Sequence, residues 1–185
     1  YLDDLKMAQK IALKLNIPLI ILDYEKHYKK HVLKPMFAAY AKGLAPNPDI
    51  ACNKIIKFPF LWKAAQQYNA DFIATGHHAR IRKTPQGFYL LSGKDKNKDQ
   101  SYFLAELSQA DLSHTLFPIG NYTKKQVRKI AKQFDFPNWN KHSTVGICFV
   151  GKQNMQKFLK QKIKEKLGKV KDPEGNEFYL YEESR

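Results

Sequence analysis

The stretch Ala70-Asp71-Phe72-Ile73-Ala74-Thr75-Gly76-His77, ADFIATGH, sets the fold class. It reads as a short apolar strand closed by a glycine. Ahead of it Phe58, Leu61, Trp62 and Ala65 recur at helical spacing, so a helix runs to about Tyr68 with Pro59 at a kink or restart. Further back, Leu5, Ala8, Ala12 and Leu15 repeat with the same period, and Lys6, Lys10 and Lys14 take another face. Asn16-Ile17-Pro18 stops that helix. Leu19 to Leu22 then suits a buried strand, with Asp23 at its carboxyl end. Helix, strand, helix, strand predicts an α/β fold built on a doubly wound, mostly parallel sheet. Such folds take ligands beyond the carboxyl ends of their strands, where Gly76 and His77 fall. A glycine there lets a ligand approach the backbone closely. A plain turn glycine beside a surface histidine has the same spacing.

Downstream, Ala79 to Lys83 and Phe88 to Ser92 form a hairpin around Thr84-Pro85-Gln86-Gly87. The polar loop Lys94 to Gln100, KDKNKDQ, precedes Tyr102 and Phe103; its Lys, Asn and Gln side chains are types that contact phosphates and bases, or simply face water. Thr123 and Gln126 make a capping box for a helix whose Val127, Ile130, Ala131 and Phe134 point inward. Ser143 to Gly151 holds Cys148 in a short apolar segment that reads as a buried strand. From Lys152 to Lys169 seven lysines stand against one glutamate, and Met155, Phe158, Leu159, Ile163 and Leu167 form the apolar stripe of a helix. Asp172-Pro173-Glu174-Gly175 opens a hairpin whose second strand is Phe178 to Tyr181. The change from helix to strand divides the chain into a main domain, 1–168, and the start of another, 169–185.

Between the amino-terminal elements and the helix at Phe58 lies Pro46 to Phe58, PNPDIACNKIIKF. His27 to Lys42 before it is weakly helical. The two prolines push Ala45 and Asn47 out of helical geometry, so Asn47-Pro48-Asp49 reads as a stiff loop. Asp49 stands three residues before Cys52. A cysteine at a helix start can have a lowered pKa and act as a nucleophile; a buried, inert cysteine after a turn has the same sequence.

The net charge is +15 and the isoelectric point about 9.7, a balance that attracts polyanions, nucleic acid first. A chain that is 43% hydrophobic can build a core, yet no segment approaches the roughly 20 apolar residues of a membrane span. Two cysteines in 185 residues exclude a disulfide scaffold and point to a soluble, cytoplasmic protein. The first residues already read as helix without an initiator methionine, which reads as a fragment.

PNPDIACNKIIKF, ATGHHAR, KNKDQSYFL, LFPIGNYTKKQVRKIA and VGICFVG, taken in this order, resemble the tRNA-specific 2-thiouridylases. The resemblance runs from about Leu2 to Gly175. It implies an adenine-nucleotide α-hydrolase-like domain of the PP-loop ATPase type, which uses ATP with Mg2+ to adenylate the C2 oxygen of the tRNA wobble uridine. Sulfur then comes from a persulfide donor protein, no metal is bound tightly, and no membrane is involved. By the same resemblance Cys52 is the nucleophile, Cys148 the persulfide carrier, and Asp49 the acid/base residue. Asn47, Pro48 and Asp49 sit beside the target base, Gly76 contacts ATP, and His77, Lys98, Asp99 and Gln100 contact tRNA.

That chemistry suits these residue types. Adenylation makes a carbonyl oxygen a good leaving group, one thiol carries the sulfur, and the other resolves the resulting bond as a disulfide. The family's SGGxDSS pyrophosphate loop should precede Tyr1, so the fragment alone is expected to be inactive. Where the family reads Lys-Asp-Ser-Thr-Gly before its second cysteine, this chain has Ser143 at the acidic position and Val145 at the threonine. Two other readings compete: a different ATP pyrophosphatase that modifies RNA, and a basic RNA-binding module without catalysis. A pure binder has no use for both thiols.

Overall fold

The structure, a computed structural model, describes residues 2–141, 154–164 and 169–179. The chain divides into two compact units, 1–152 and 153–185. In the first unit α1 spans Leu2–Leu15, with acidic Asp3 and Asp4 in its first turn and Lys14 in its last, as the helix dipole favours. The helical segment 25–41 follows, made of α2 (Glu25–Tyr28), a π-helical turn (Lys29–Leu33) and α3 (Lys34–Ala41). A second such segment, 48–67, repeats the plan with α4 (Pro48–Cys52), a π-helical turn (Asn53–Lys57) and α5 (Phe58–Gln67).

Both π turns have one cause. In each, the closing N–H, from Lys34 or Phe58, reaches five residues back, and a proline comes next, Pro35 or Pro59. Proline lacks an N–H, and its ring clashes with the carbonyl four residues behind it; a widened turn relieves both problems without ending the helix. Pro59 stands in the first turn of α5, where the segment passes from the π turn into α-helix. The second segment also begins earlier than its prolines suggest. Asn47 is extended and its side chain caps the helix, accepting from the N–H groups of Asp49 and Ile50 at 3.0 and 3.3 Å, while Pro48 takes the first helical position. The stiff loop expected over 47–49 is thus a helix N-terminus.

The strands position the site. β1 (Ile73–Ala74) pairs in parallel with β4 (Thr115–Leu116), and the N–H of Thr75 extends the ladder to the Leu116 carbonyl at 3.1 Å. Between them lie the antiparallel hairpin of β2 (Ala79–Thr84) and β3 (Gly87–Ser92), a 3-10 turn (Ser101–Leu104) and α6 (Gln109–Ser113). The hairpin has the predicted register, with Thr84 opposite Gly87 and Pro85-Gln86 at the tip. Phe58, Ile73, Ala79 and Leu104 form a buried cluster, with Leu61, Trp62 and Phe117 packed on it, so α5, β1, β2 and the 3-10 turn share one core.

Leu19 to Leu22 departs from expectation. Among the described residues the stretch finds no ladder partner, and it is exposed, Ile21 to 55%. An apolar run becomes a strand only when a neighbour supplies its backbone partners, and no described strand lies beside this one. α7 (Lys124–Gln133) has the predicted Thr123–Gln126 capping box, but its apolar stripe is at most half-buried and Phe134 is 63% exposed. Exposed ion pairs from Lys14 to Asp135 (2.9 Å) and from Lys141 to Asp4 tie α1 to the segment that follows α7.

In the second unit, α8 (Met155–Lys160) is capped by Asn154 and ends sooner than the lysine-rich pattern predicts, passing into a turn at Gln161 to Ile163. Lys160 and Lys164 would be like charges one turn apart in a longer helix. β5 (Lys169–Lys171) and β6 (Glu177–Tyr179) form the expected hairpin around Asp172 to Gly175. No helix among the described residues is long and apolar enough to cross a membrane.

Candidate functional site

Three segments converge on a cleft of about 530 Å³ in the first unit. Gly76 and His78, just past β1, contribute one part of its lining. The loop before the 3-10 turn contributes Asn97, Lys98, Asp99 and Gln100, followed by Tyr102 and Phe103. Lys124 at the start of α7, with Asn138 and Lys141 beyond it, completes the lining. The cleft lies past the carboxyl end of a parallel strand, as α/β geometry requires.

The loop is held by its own side chains. Asp99 Oδ1 accepts from the N–H groups of Gly93 (2.8 Å) and Ser101 (3.2 Å), and Oδ2 accepts from the Ser101 hydroxyl (2.9 Å). Burial pushes the Asp99 carboxyl up, but these hydrogen bonds together hold it below the usual carboxylate range. Asp95 accepts from the N–H of Lys124 at 2.8 Å and of Asn97 at 3.1 Å, which keeps its carboxyl low. Gln100 pairs with the His78 backbone both ways: its Oε1 accepts from the His78 N–H and its own N–H donates to the His78 carbonyl, each at 3.0 Å. Asp99 and Gln100 are therefore committed inside the protein, while the Lys98 side chain is exposed at the rim.

The two histidines after Gly76 have different surroundings. His77 is 8% exposed; its Nδ1 lies 2.7 Å from the Thr75 hydroxyl and its ring stacks on Phe58 at 5.9 Å. Burial, with the Lys57 charge adding to it, lowers its pKa to about 4. His77 is neutral and packed, and it does not line the cleft. His78, absent from the sequence-based site, does line it. Two adjacent histidines give no sequence signal for which one faces inward. Gly76 is exposed, and a Cβ built on it meets nothing within 4 Å, so the space above its backbone is open.

Cys52 ends α4 and is fully buried, at 0% exposure. Asp49, one turn earlier, is half-buried, Pro48 likewise, and Asn47 is spent on its cap. This thiol-bearing helix is wired to the cleft. Asn53, next to Cys52, donates from Nδ2 to the Phe103 carbonyl at 3.1 Å, and Lys54 pairs with Glu106 at 2.7 Å. Cys148, Ser143 and Val145 lie outside the described residues. No group of three His, Cys, Asp or Glu side chains among the described residues could hold a metal ion.

Sequence reading named the loop but missed Tyr102 and Phe103 as a surface. Their ring centroids are 3.9 Å apart and Tyr102 is exposed. Aromatic faces beside lysines and amides are the means by which proteins hold bases and phosphates together.

The tRNA methyl transferase HUP domain family matches residues 1–152, ending where the first compact unit ends. The chain is 45% identical to the tRNA-specific 2-thiouridylase MnmA of Christiangramia forsetii, over 99% of this chain and 48% of that protein. It is 42% identical to the MnmA of Malacoplasma penetrans (91% and 46%) and 43% identical to that of Blochmanniella floridana (97% and 49%). The chain spans about half the length of these curated relatives.

Proposed function

Because the chain belongs to the tRNA methyl transferase HUP domain family, we propose that it is the nucleotide-binding catalytic part of a tRNA-uridine 2-sulfurtransferase. The observation that carries this reading is the Asn53–Phe103 hydrogen bond, which couples the Cys52 helix to the lysine- and aromatic-lined cleft. An RNA binder without catalysis needs the cleft but has no need to join a thiol to it.

The roles are those the family resemblance implies, supported by the chemistry of the residues. ATP, entering with its own Mg2+, has Gly76 as a place of close approach and Lys98 and Lys124 as counter-charges. It supplies the adenylyl group that makes the C2 oxygen of uridine a leaving group. Asn47, Pro48 and Asp49 lie beside the extruded base, with Asp49 moving protons, while Lys98 meets the RNA backbone. Asp99 and Gln100 serve tRNA by shaping the loop that presents Lys98, and His77 by supporting the strand end beneath Gly76. A donor protein loads Cys148 as a persulfide, whose terminal sulfur attacks C2 as AMP departs. Cys52, as thiolate, then attacks the Cys148 sulfur; a Cys52–Cys148 disulfide forms and the electron pair stays on the new C2 sulfur. Burial keeps the Cys52 thiol from side reactions until bound tRNA rearranges the segment. The reaction takes place in the cytoplasm, and 169–185 opens a second domain.

The test uses the gene product carrying this chain, incubated with ATP, Mg2+, a persulfide donor and unmodified tRNA. Mass spectrometry of the digested nucleosides separates 2-thiouridine from methylated uridine. Cys52→Ser and Cys148→Ser each abolish 2-thiouridine while tRNA binding stays near that of the parent. Thiolation near the parent's rate in either variant overturns the two-thiol mechanism.

A further inference from the structure

His78 is placed on the cleft lining like a ligand contact. Its side chain is among the most buried polar groups of the described residues, at 4% exposure, yet neither Nδ1 nor Nε2 makes a hydrogen bond of good geometry. A buried imidazole normally satisfies at least one nitrogen, because leaving both unmet forfeits solvation with no return. Its neighbour His77 does so through Thr75. His78 is also not a loosely held ring. Its backbone is fixed on both sides by Gln100, and Gly93 lies so close that a Cβ there would come within 2.5 Å of the His78 carbonyl. The ring nitrogens thus belong to a side chain whose backbone is held in place on the cleft lining.

The groups around it define what it would accept. Lys124, from the start of α7, and Lys98, from the loop, bring positive charge, and Asp95 brings negative charge. The Asp95 carboxylate is already engaged by two backbone N–H groups, and a loose hydrogen bond to the Tyr122 backbone also favours the protonated ring. Lys141 on the cleft lining is paired with Asp4. Asp99 is turned into its own loop. Burial and the two lysines therefore outweigh the acidic partners and keep the ring neutral. An anion in the cleft reverses that balance, since it neutralises the lysine field and offers an acceptor to an imidazolium N–H. At the start of α7 the Lys124 N–H is taken by Asp95 and the Gln126 N–H by Thr123.

We propose that His78 is a phosphate contact of this cleft, taking up a proton as a phosphate-bearing ligand enters. The proposal rests on the reading of the cleft as a nucleotide and tRNA site, and adds to it a residue and a coupling to pH. The phosphate is that of ATP or of the RNA backbone; the chemistry is shared, and the experiment separates them.

Binding of ATP with Mg2+, and separately of an unmodified tRNA transcript, is measured from about pH 7.5 to about pH 5.5 for the parent, His78→Gln and His78→Phe. Melting temperatures are recorded alongside, and the His78 ring proton is followed by NMR with and without each ligand. For the ligand whose phosphate His78 meets, parent affinity rises roughly 3- to 10-fold on acidification beyond the rise in either variant, and the His78 titration moves to higher pH in the complex. A response in the ATP arm alone assigns the nucleotide phosphate, and one in the tRNA arm alone assigns the RNA backbone. Binding with equal pH slopes in parent and variants overturns the proposal and leaves the site reading standing. No binding of either ligand at any pH overturns both. Should both variants unfold, the NMR titration of the parent decides, and a His78 ring whose titration ignores both ligands sinks the idea.

Discussion

The cleft is bounded by two kinds of lining, and the contrast between them shows how a motif divides its labour. The loop from Gly93 to Ser101 is held by its side chains: Asp95, Asp99 and Gln100 accept from backbone N–H groups in and beside it, and Asp99 also from the Ser101 hydroxyl. At the strand end Gly76 leaves an open space, and His78, held through its backbone by Gln100, presents a ring without a hydrogen bond of good geometry. The first lining holds shape and the second offers contacts. Substitutions should separate them, with stability falling at the loop and its neighbours, and binding falling at the strand end.

The largest effect is expected where shape is tightest. A Cβ on Gly120 would lie 1.7 Å from the Ala79 carbonyl oxygen, a clash with backbone that no rotamer can relieve. Gly120→Ala should cost roughly 3 kcal/mol or more in urea unfolding. A loss under about 1 kcal/mol would mean that this contact gives way easily, and the contrast would lose its rigid side. Next comes Asp99→Ala, which strands the buried Gly93 N–H and should cost about 2 kcal/mol, with faster hydrogen exchange at Gly93 as its local signature. Unchanged exchange there would show that the loop holds without its carboxylate.

Gly76→Ala should have the smallest effect on stability and a clear one on binding. Nothing lies within 4 Å of the added methyl, so unfolding should shift by less than about 0.5 kcal/mol. ATP affinity should drop about tenfold, equivalent to about 1.4 kcal/mol, because the methyl occupies the space of close approach. Intact affinity in isothermal titration would show that the strand end is not a contact surface, and would erase the distinction between the two linings.

Much of this was legible in the residues. Turn chemistry located the hairpin at Thr84 to Gly87, side-chain pairing located the cap at Thr123 and Gln126, and the apolar run into Gly76 located the parallel strand. These are local signals, and local structure honours them. What stayed hidden depends on neighbours. Leu19 to Leu22 has the composition of a strand, but pairing is a property of two segments. The stripe of Val127, Ile130, Ala131 and Phe134 states which face is apolar, not what covers it. His77 and His78 are the same residue in consecutive positions, and only the direction of the strand end decides which is packed and which lines the cleft. Cys52 falls between these cases: the residues allowed a reactive thiol beside a helix start or a buried one after a turn, and the thiol closes α4, fully buried.

The π turn at Asn53–Lys57 also sets the rotational phase of the thiol. Successive residues of an α-helix are about 100° apart around the axis. The widened turn accommodates one more residue than an ordinary turn, so Cys52 and Phe58 point where they do because of a count rather than a contact. Converting 53–57 to an ordinary α-helical turn with all five residues kept would leave a smoother helix of the same composition. It would also swing Cys52 by about 100° relative to the core that Phe58 anchors. Every residue named in the proposed mechanism would still be present, with its thiol facing the wrong quarter of the compass.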